Sequence, residues 1–339
     1  MRKINLHLGD FTEKSNVKLV PRYYGEALCR LAERNEKIVA LCADLAPPTE
    51  TDLFRDRYPD RFFMMGIAEA NMVGVASGMA RMGDVPFVHS FCVFLTRRAY
   101  DQVAMQVAYP KSNVKLIGFL PGLTTLLGVS HQAIDDIALM RALPNMCVIE
   151  PCGPEQIDSA VNAAMDYDGP VYLRLNRAET ELSSDTKLKK LDIGKVEITR
   201  KGDDLVIFAC GIMLRKAESA AQILSESGIE TTVVNVHTIK PIDDQKICEL
   251  VSHCGATITA ENHSIIGGLG DAVSKALNEK NISIAVNRVG IKDSFAEGGS
   301  TPYLLNKYGL ETQDIVNKAL KVLKQNIKVS YTSIKNDIP

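Results

Sequence analysis

The stretch at residues 87–119, FVHSFCVFLTRRAYDQVAMQVAYPKSNVKLIGF, decides the predicted fold. Its apolar runs at 87–91 and 114–119 have the length and composition of buried strands. Between them, residues 99–108 have a helix-length pattern. A strand, a helix and a second strand in this order predict two parallel strands joined by a crossover helix.

The same alternation extends in both directions from this stretch. Further strand-like runs occur at residues 38–42, 147–150, 171–175, 205–209, 231–237, 257–260 and 282–289. Helix-length segments occur at residues 68–82, 134–143, 154–167, 214–227, 243–253 and 268–278. The predicted fold class is therefore α/β, with two doubly wound domains.

A polar segment at residues 178–195 interrupts the alternation and predicts a linker between the domains. The domains are accordingly placed at 15–180 and 195–325. Just after the linker, strand-like runs at 196–199 and 205–209 flank Lys201-Gly202-Asp203-Asp204. This turn-rich tetrapeptide predicts that the two runs pair as a hairpin.

The composition excludes several classes of protein. The 339 residues carry 39 Lys plus Arg and 41 Asp plus Glu, so a nucleic acid or an anionic membrane surface is not expected as the main partner. No apolar run approaches the roughly 18 residues of a membrane span. None of the eight cysteines forms a C-x-x-C pair, and no metal-ligand spacing is recognised. We expect small buried thiols in a cytoplasmic protein, and no metal site on this chain.

One candidate for chemistry is Glu69, in the segment MGIAEANMVGVASGMA at residues 65–80. Glu69 falls at a predicted helix start among apolar neighbours. It either complements the helix dipole or serves as a partly buried carboxyl that exchanges a proton. Gly66, Gly74 and Gly78 recur in the same segment, and their helical cost suggests close approach of other groups.

A second candidate segment, VHSFCVFLTRRAYDQ, covers residues 88–102. Phe91 and Phe94 are three residues apart, with Arg97 three further on. At a strand end or in a first helical turn, this spacing places two rings and a guanidinium together. The alternative is an ordinary pair of core aromatics.

These segments together resemble the transketolase family. Residues 66–72 (GIAEANM) and 91–102 (FCVFLTRRAYDQ) look like its pyrimidine-binding domain, as do 43–47 (ADLAP) and 141–146 (RALPNM). Residues 261–270 (ENHSIIGGLG) resemble the transketolase C-terminal domain. The resemblance runs in the right order from residue 22 to 325. It implies that 15–180 is the pyrimidine-binding domain and 195–325 the C-terminal domain.

The resemblance implies thiamine diphosphate as the cofactor. Glu69 matches the family glutamate that protonates N1′ of the pyrimidine ring, and Phe94 matches the aromatic residue that stacks on this ring. Phe91 lines the same pocket, and Asp44 matches an aspartate near the cofactor. The cofactor provides the electron sink, while the protein provides orientation and electrostatics.

The resemblance also implies the substrate residues. His131 matches an active-site histidine that contacts the reacting substrate and moves protons. Arg22 and Arg177 match arginines that hold the anionic end of the sugar, and Arg97 is a third candidate. Guanidinium forks suit a terminal oxyanion, whereas the alternative for each arginine is a surface ion pair.

A partner subunit is implied by what the sequence lacks. Transketolases bind the diphosphate and Mg²⁺ through a G-D-G motif followed by an asparagine, and this chain has no G-D-G. The resemblance therefore predicts a separate N-terminal subunit that supplies Mg²⁺, in an α2β2 heterotetramer. Gly267-Gly268-Leu269-Gly270 either cradles an anion at a helix start or allows close helix packing, and we favour packing.

The sequence departs from the family near the substrate. The polar G-E-D-G segment of ordinary transketolases is replaced around Leu126-Leu127, and these leucines cannot hydrogen-bond sugar hydroxyls. The predicted donor is an anionic ketose, with apulose 4-phosphate and 6-deoxy-6-sulfofructose left open as atypical choices. The alternative functions are a 2-oxo-acid dehydrogenase beta subunit, a deoxyxylulose-phosphate synthase and a non-catalytic binding subunit.

Overall fold

The computed structural model describes residues 21–176, 188 and 190–336. Its strands form two sheets, which confirms the predicted α/β class with two doubly wound units. Within the described part of the chain, no helix is both long and apolar enough to cross a membrane. The predicted linker at 178–195 falls largely outside the described residues.

The first sheet has seven strands in the order β10-β5-β6-β4-β3-β1-β2. Its strands are β1 (Ile38–Cys42), β2 (Phe62–Met64), β3 (Val85–Phe91), β4 (Lys115–Phe119), β5 (Cys147–Ile149), β6 (Val171–Leu175) and β10 (Thr238–Lys240). Pairing is parallel except between β10 and β5. Every residue of β3 and β4 is buried, as expected for parallel strands covered on both faces.

The helices of this unit mostly match their predicted positions. They are α1 (Tyr23–Arg34), α2 (Asp52–Arg57), α3 (Glu69–Met82), α4 (Tyr100–Gln102), α5 (Asp136–Ala142) and α6 (Pro154–Asp166). The short α4 lies between two π-helical segments, Phe94–Arg98 and Val103–Ala108. The helical segment after β3 therefore begins at Phe94, five residues before the predicted start.

The second sheet has the order β12-β11-β8-β9-β7. Its strands are β7 (Glu197–Arg200), β8 (Leu205–Ala209), β9 (Thr231–Asn235), β11 (Thr257–Ser264) and β12 (Val286–Ile291). The helices that follow β6 in the chain are α7 (Met213–Glu226), α8 (Asp244–Cys254), α9 (Leu269–Glu279), α10 (Thr301–Lys307) and α11 (Thr312–Asn336).

The predicted hairpin is wrong. β7 pairs with β9 in antiparallel register, and β9 separates β7 from β8. The tetrapeptide at 201–204 still turns the chain, because Gly202 exchanges hydrogen bonds with the side chain of Thr232 on β9. The local turn signal was present, but β8 pairs in parallel with β9 and β11, so it takes a central position.

Buried polar contacts join the two units. Arg174 of β6 is fully buried and donates to the carboxylates of Asp136 and Glu150, with distances of 2.8 and 2.6 Å for its shortest contacts to each. The same guanidinium donates to the backbone oxygen of Asn262 on β11 at 3.0 Å. The Asn262 side chain accepts a hydrogen bond from Leu123 N and donates one to the Pro121 carbonyl, both in the loop after β4. The second unit therefore holds that loop in place.

Candidate active site

The predicted site residues lie at the carboxyl ends of neighbouring parallel strands. Glu69 follows β2, Phe94 follows β3 and His131 lies in the loop after β4. These strands belong to one sheet, in which β1 separates β2 from β3 and β3 pairs with β4. Such an edge is where open parallel sheets bind their ligands, because the connecting loops converge there.

Glu69 is the first residue of α3 and is only 1% exposed. Gly66, three residues earlier, has a φ of +73°, a conformation that favours glycine. This turn leads the chain from β2 into the helix and places the carboxylate in the first turn. The position is favourable for a negative charge. The predicted helix start is confirmed to within one residue.

The aromatic residues and the histidine form one cluster of rings. The Phe91 and Phe94 ring centroids are 5.9 Å apart. The His131 ring packs edge-on against Phe94 at 5.1 Å and lies 6.1 Å from Phe91. Phe91 is buried, whereas Phe94 and His131 are partly exposed. The structure thus brings together three of the predicted residues from the end of β3, the helical segment after it and the loop after β4.

Arg98 connects this cluster to Glu69, although no role is predicted for it from the sequence. Its Nη1 donates to both Glu69 carboxylate oxygens, at 3.0 and 2.9 Å, and its guanidinium carbon lies 4.3 Å from the Phe94 ring centroid. The prediction had placed the Arg97 guanidinium beside the rings, using α-helical spacing. The segment from Phe94 is π-helical, and Arg98, four residues after Phe94, is the residue over the ring.

Arg97 instead pairs with Asp135. Its Nε donates to both Asp135 carboxylate oxygens, at 3.0 and 2.9 Å. Asp135 ends the loop that carries His131, so this ion pair ties the two segments of the site together. Arg97 Nη2 also lies 2.9 Å from Asp135 Oδ1, and the pair is partly exposed.

His131 is poised as a neutral ring. Its partial burial, reinforced by the nearby Arg98 charge, lowers its pKa from the ordinary histidine value. Its Nδ1 lies 3.0 Å from the Ser130 hydroxyl. A neutral imidazole at pH 7 can accept a proton from a substrate hydroxyl, which a protonated ring cannot.

The other predicted residues lie apart from the ring cluster. Arg22 precedes α1 and forms an ion pair with the buried Asp52, with one contact at 2.9 Å. Asp44 follows β1 and is exposed, with a φ of +56°. Within the described residues, neither hydrogen bond nor ion pair joins Arg22 or Asp44 to the cluster. Arg177 lies outside the described residues.

Two structural expectations about glycines have different outcomes. A Cβ on Gly74 would lie 2.8 Å from Gln106 Oε1, so this position is tightly packed, but a Cβ on Gly66 or Gly78 would meet no atom within 4 Å, and the predicted close approach is wrong there. At residues 267–270 the structure shows features of both interpretations, because Gly267 packs closely against Ala138 while the helix start accepts an anion from the chain itself. The Glu261 carboxylate accepts hydrogen bonds from Leu269 N at 2.6 Å and Gly270 N at 2.9 Å, and so fills the cradle itself.

The cysteines and His89 are structural. All eight cysteines are free, and all but the half-buried Cys254 are buried, as predicted. His89, which had no assigned role, is fully buried between Tyr24 and the Leu41 carbonyl. In the chain that the structure describes, no three His, Cys, Asp or Glu side chains are grouped as metal ligands.

The cluster fits the pyrimidine half of a thiamine cofactor. A buried carboxylate lies beside a partly exposed aromatic ring, and Arg98 shows that a flat N–H donor can contact both at once. A protonated pyrimidine ring is likewise flat and presents N–H groups. The charged diphosphate half would need a metal and further ligands.

Comparisons with known families match both units. The family model "Transketolase, pyrimidine binding domain" matches residues 20–182, and "Transketolase, C-terminal domain" matches residues 194–315. The match leaves little of the described chain outside the two models.

Individual relatives agree with the family models. The chain is 42% identical to a 6-deoxy-6-sulfo-D-fructose transketolase subunit of Clostridium sp. (strain MSTE9), covering 89% of this chain and 94% of the relative. It is 39% identical to a putative transketolase C-terminal section of Methanocaldococcus jannaschii, covering 89% and 95%. A 1-deoxy-D-xylulose-5-phosphate synthase of Desulforudis audaxviator is 36% identical, but the chain spans only 47% of it.

A solved structure supports the same relationship. The structure described as "Split gene transketolase, inactive beta4 tetramer" has a TM-score of 0.82 and 42% sequence identity, with 89% of this chain and 97% of that chain covered. These comparisons do not favour the dehydrogenase or the non-catalytic alternative.

Proposed function

This chain belongs to the transketolase family as a subunit of a split, thiamine-diphosphate-dependent enzyme, and we propose that its own share of the active site is Glu69, Phe94 and His131. The observation that supports this assignment most directly is the contact of one flat cation with both the Glu69 carboxylate and the Phe94 ring. Asp44 and Phe91 complete the proposed cofactor contacts.

Each residue of the proposed site has a separate role in the reaction. When bound, thiamine diphosphate supplies the carbon nucleophile and the electron sink for transfer of a two-carbon ketol unit. Glu69 holds a proton at N1′ of the pyrimidine ring. Phe94 offers its face to that ring, and Phe91 packs behind it. His131, neutral at pH 7, takes or returns a proton at a substrate hydroxyl.

The anionic end of the sugar is assigned to Arg22, Arg97 and Arg177. Arg22 and Arg97 each already have a carboxylate partner, which fixes the guanidinium in direction. A terminal phosphate or sulfonate would then bind to the N–H groups that remain. We assign Mg²⁺ and the diphosphate to a separate N-terminal subunit, in a cytoplasmic α2β2 heterotetramer. The relatives described as a transketolase subunit and as a C-terminal section support a divided enzyme.

The role of Glu69 is tested by Glu69→Gln in the assembled enzyme. Gln is close in shape and keeps the packing, but it cannot deliver the proton to N1′. We expect turnover to fall on the order of 10²–10⁴-fold, with the melting temperature little changed. The control is Glu36→Gln on the surface, which should behave as the wild type. A loss below about threefold for Glu69→Gln would exclude this carboxylate as the activator.

The donor is proposed to be an atypical anionic ketose. Leu126 and Leu127 replace a polar pair, and the relative described as a 6-deoxy-6-sulfo-D-fructose transketolase subunit makes that sugar the first to test. Apulose 4-phosphate is the second. The hydroxyls of an ordinary donor such as xylulose 5-phosphate would lack hydrogen-bond partners beside these leucines. This loss lowers kcat/KM for that donor.

Comparison of kcat/KM for the three sugars tests this proposal. We expect xylulose 5-phosphate to be the poorest donor of the wild-type enzyme. The double variant Leu126→Glu, Leu127→Asp restores the polar pair and should shift the ratio towards xylulose 5-phosphate. If the wild type prefers xylulose 5-phosphate by about tenfold or more, the leucine pair carries no specificity.

A further inference from the structure

Arg98 contacts the two groups to which the proposed function assigns the cofactor, the Glu69 carboxylate and the Phe94 ring. Its side chain is 47% exposed, while that of Glu69 is 1% exposed, so the contact joins an exposed guanidinium side chain to a buried carboxylate. Nη1 lies between both carboxylate oxygens, and the guanidinium covers the Phe94 ring. Within the described residues, Arg98 is the only hydrogen-bond partner of the Glu69 carboxylate.

We propose that Arg98 is a displaceable placeholder for the pyrimidine ring: it pairs Glu69 and covers Phe94 until the cofactor replaces it, and then turns to solvent. This inference rests on the proposed function, because it assumes that thiamine diphosphate binds at Glu69 and Phe94. A pyrimidine ring and the guanidinium need the same ring face and the same carboxylate oxygens. They therefore exclude one another.

A placeholder has a physical purpose here. A buried carboxylate without a partner is strongly destabilising, so Glu69 needs a donor whenever the pyrimidine ring is not bound. Arg98 provides one, and exchange for a protonated ring keeps the carboxylate paired throughout. The exchange is feasible because Arg98 lies at the surface, where water can solvate the released guanidinium.

The neighbouring arginine makes a suitable comparison. Arg97 carries the same charge and lies on the same π-helical segment, but its guanidinium is bound to Asp135. It makes no hydrogen bond to Glu69 among the described contacts. Removing Arg97 therefore changes the local charge as much as removing Arg98 does, without freeing the Glu69 carboxylate.

Binding of thiamine diphosphate to the assembled complex tests the proposal. Calorimetric titrations at fixed Mg²⁺ would compare the wild type with Arg98→Met, Arg98→Lys and Arg97→Met. Removing a competitor raises the fraction of open sites, so Arg98→Met should bind the cofactor about threefold more tightly or better. Arg98→Lys, which keeps a charge but not the flat fork, should fall between the two. Arg97→Met should show no gain.

A second readout does not depend on affinity. Without cofactor, the Arg98→Met complex should melt below the wild type, because Glu69 has lost its partner, and cofactor should raise its melting temperature by a larger amount. If the Arg98→Met complex does not assemble, the same measurements use Arg98→Gln. The shorter, uncharged Gln side chain can make at most one hydrogen bond to the Glu69 carboxylate.

The outcomes separate the two hypotheses. Equal or weaker binding by Arg98→Met overturns the placeholder and leaves the proposed function standing. An equal gain in cofactor affinity for Arg97→Met also overturns the placeholder proposal, because removal of a positive charge alone would then explain the gain. If the wild-type complex binds no thiamine diphosphate, the proposed function fails and the inference fails with it.

Discussion

At the scale of single residues, His89 shows how burial determines the state of a side chain. Its Nδ1 donates to the Leu41 carbonyl at 3.0 Å, so Nε2 accepts from the Tyr24 hydroxyl at 2.6 Å. Burial lowers the pKa of His89 to about 3, against the hydrogen bond to Leu41, which raises it. The ring is therefore neutral in the folded protein at any pH near neutrality.

This neutral histidine makes stability depend on pH. In the unfolded chain a histidine takes up a proton below about pH 6.5, whereas folded His89 stays neutral down to about pH 3. Lowering the pH through this window stabilises the unfolded chain and costs about 1.4 kcal/mol per pH unit for this residue. His237 and His263, whose pKa values burial lowers to about 4, act in the same direction.

We expect His89→Gln to weaken the pH dependence of the free energy of unfolding between pH 6 and 4. Urea titrations at several pH values measure it. The slope should fall by about 1.4 kcal/mol per pH unit relative to the wild type, since one of the buried histidines is removed. His253→Gln, on the surface beside Asp203, is the control. Parallel slopes for His89→Gln and the wild type would contradict the assignment.

At the scale of elements, the start of α9 is stabilised from within the chain. Glu261 on β11 accepts the N–H groups of Leu269 and Gly270, where an external anion would otherwise bind. Burial raises the pKa of Glu261 to about 7, while those two N–H groups act to lower it. The close approach depends on Gly268, whose Cβ would lie 1.9 Å from Glu261 Oε2 and 2.7 Å from His263 Nδ1.

Gly268→Ala should therefore destabilise the fold. The methyl group forces the buried Glu261 carboxylate to move, with an expected cost of about 1–3 kcal/mol or more in the free energy of unfolding. Gly78→Ala is the matched control, because its Cβ meets nothing within 4 Å and alanine is the better helix former by roughly 1 kcal/mol. Denaturant unfolding of both variants gives the comparison. If Gly268→Ala leaves the free energy of unfolding unchanged, the fold does not depend on the present position of the Glu261 carboxylate.

At the scale of the whole molecule, the active-site loop depends on both units. Leu123 and Pro121 bind the Asn262 side chain, and the Gln132 side chain donates to the Glu297 carbonyl at 2.9 Å. These contacts lie at either end of the loop that carries Leu126, Leu127 and His131. The C-terminal unit thus positions the loop that carries the proposed substrate residues of the first unit.

We propose that the site on this chain binds only one half of the cofactor. Glu69 and Phe94 suit the pyrimidine ring, while the sequence lacks the G-D-G motif that would hold Mg²⁺ and the diphosphate. Most affinity for such a cofactor comes from its charged end. Calorimetry on the isolated chain should accordingly show no tight, Mg²⁺-dependent binding of thiamine diphosphate. Micromolar binding without a partner subunit would contradict this expectation.

The sequence by itself determined the fold class, most strands and helices, and the prediction that Glu69 and Phe94 belong to one site, because apolar periodicity and family motifs are local signals. Only the tertiary structure decided which strand lies beside β7, since sheet order depends on packing between distant segments. It also decided that Arg98, and not Arg97, reaches the ring and the carboxylate. The spacing alone leaves both arginines possible, because residues three and four after Phe94 can each lie on its helix face. The contact of Arg97 with the distant Asp135 leaves Arg98 as the residue over the ring.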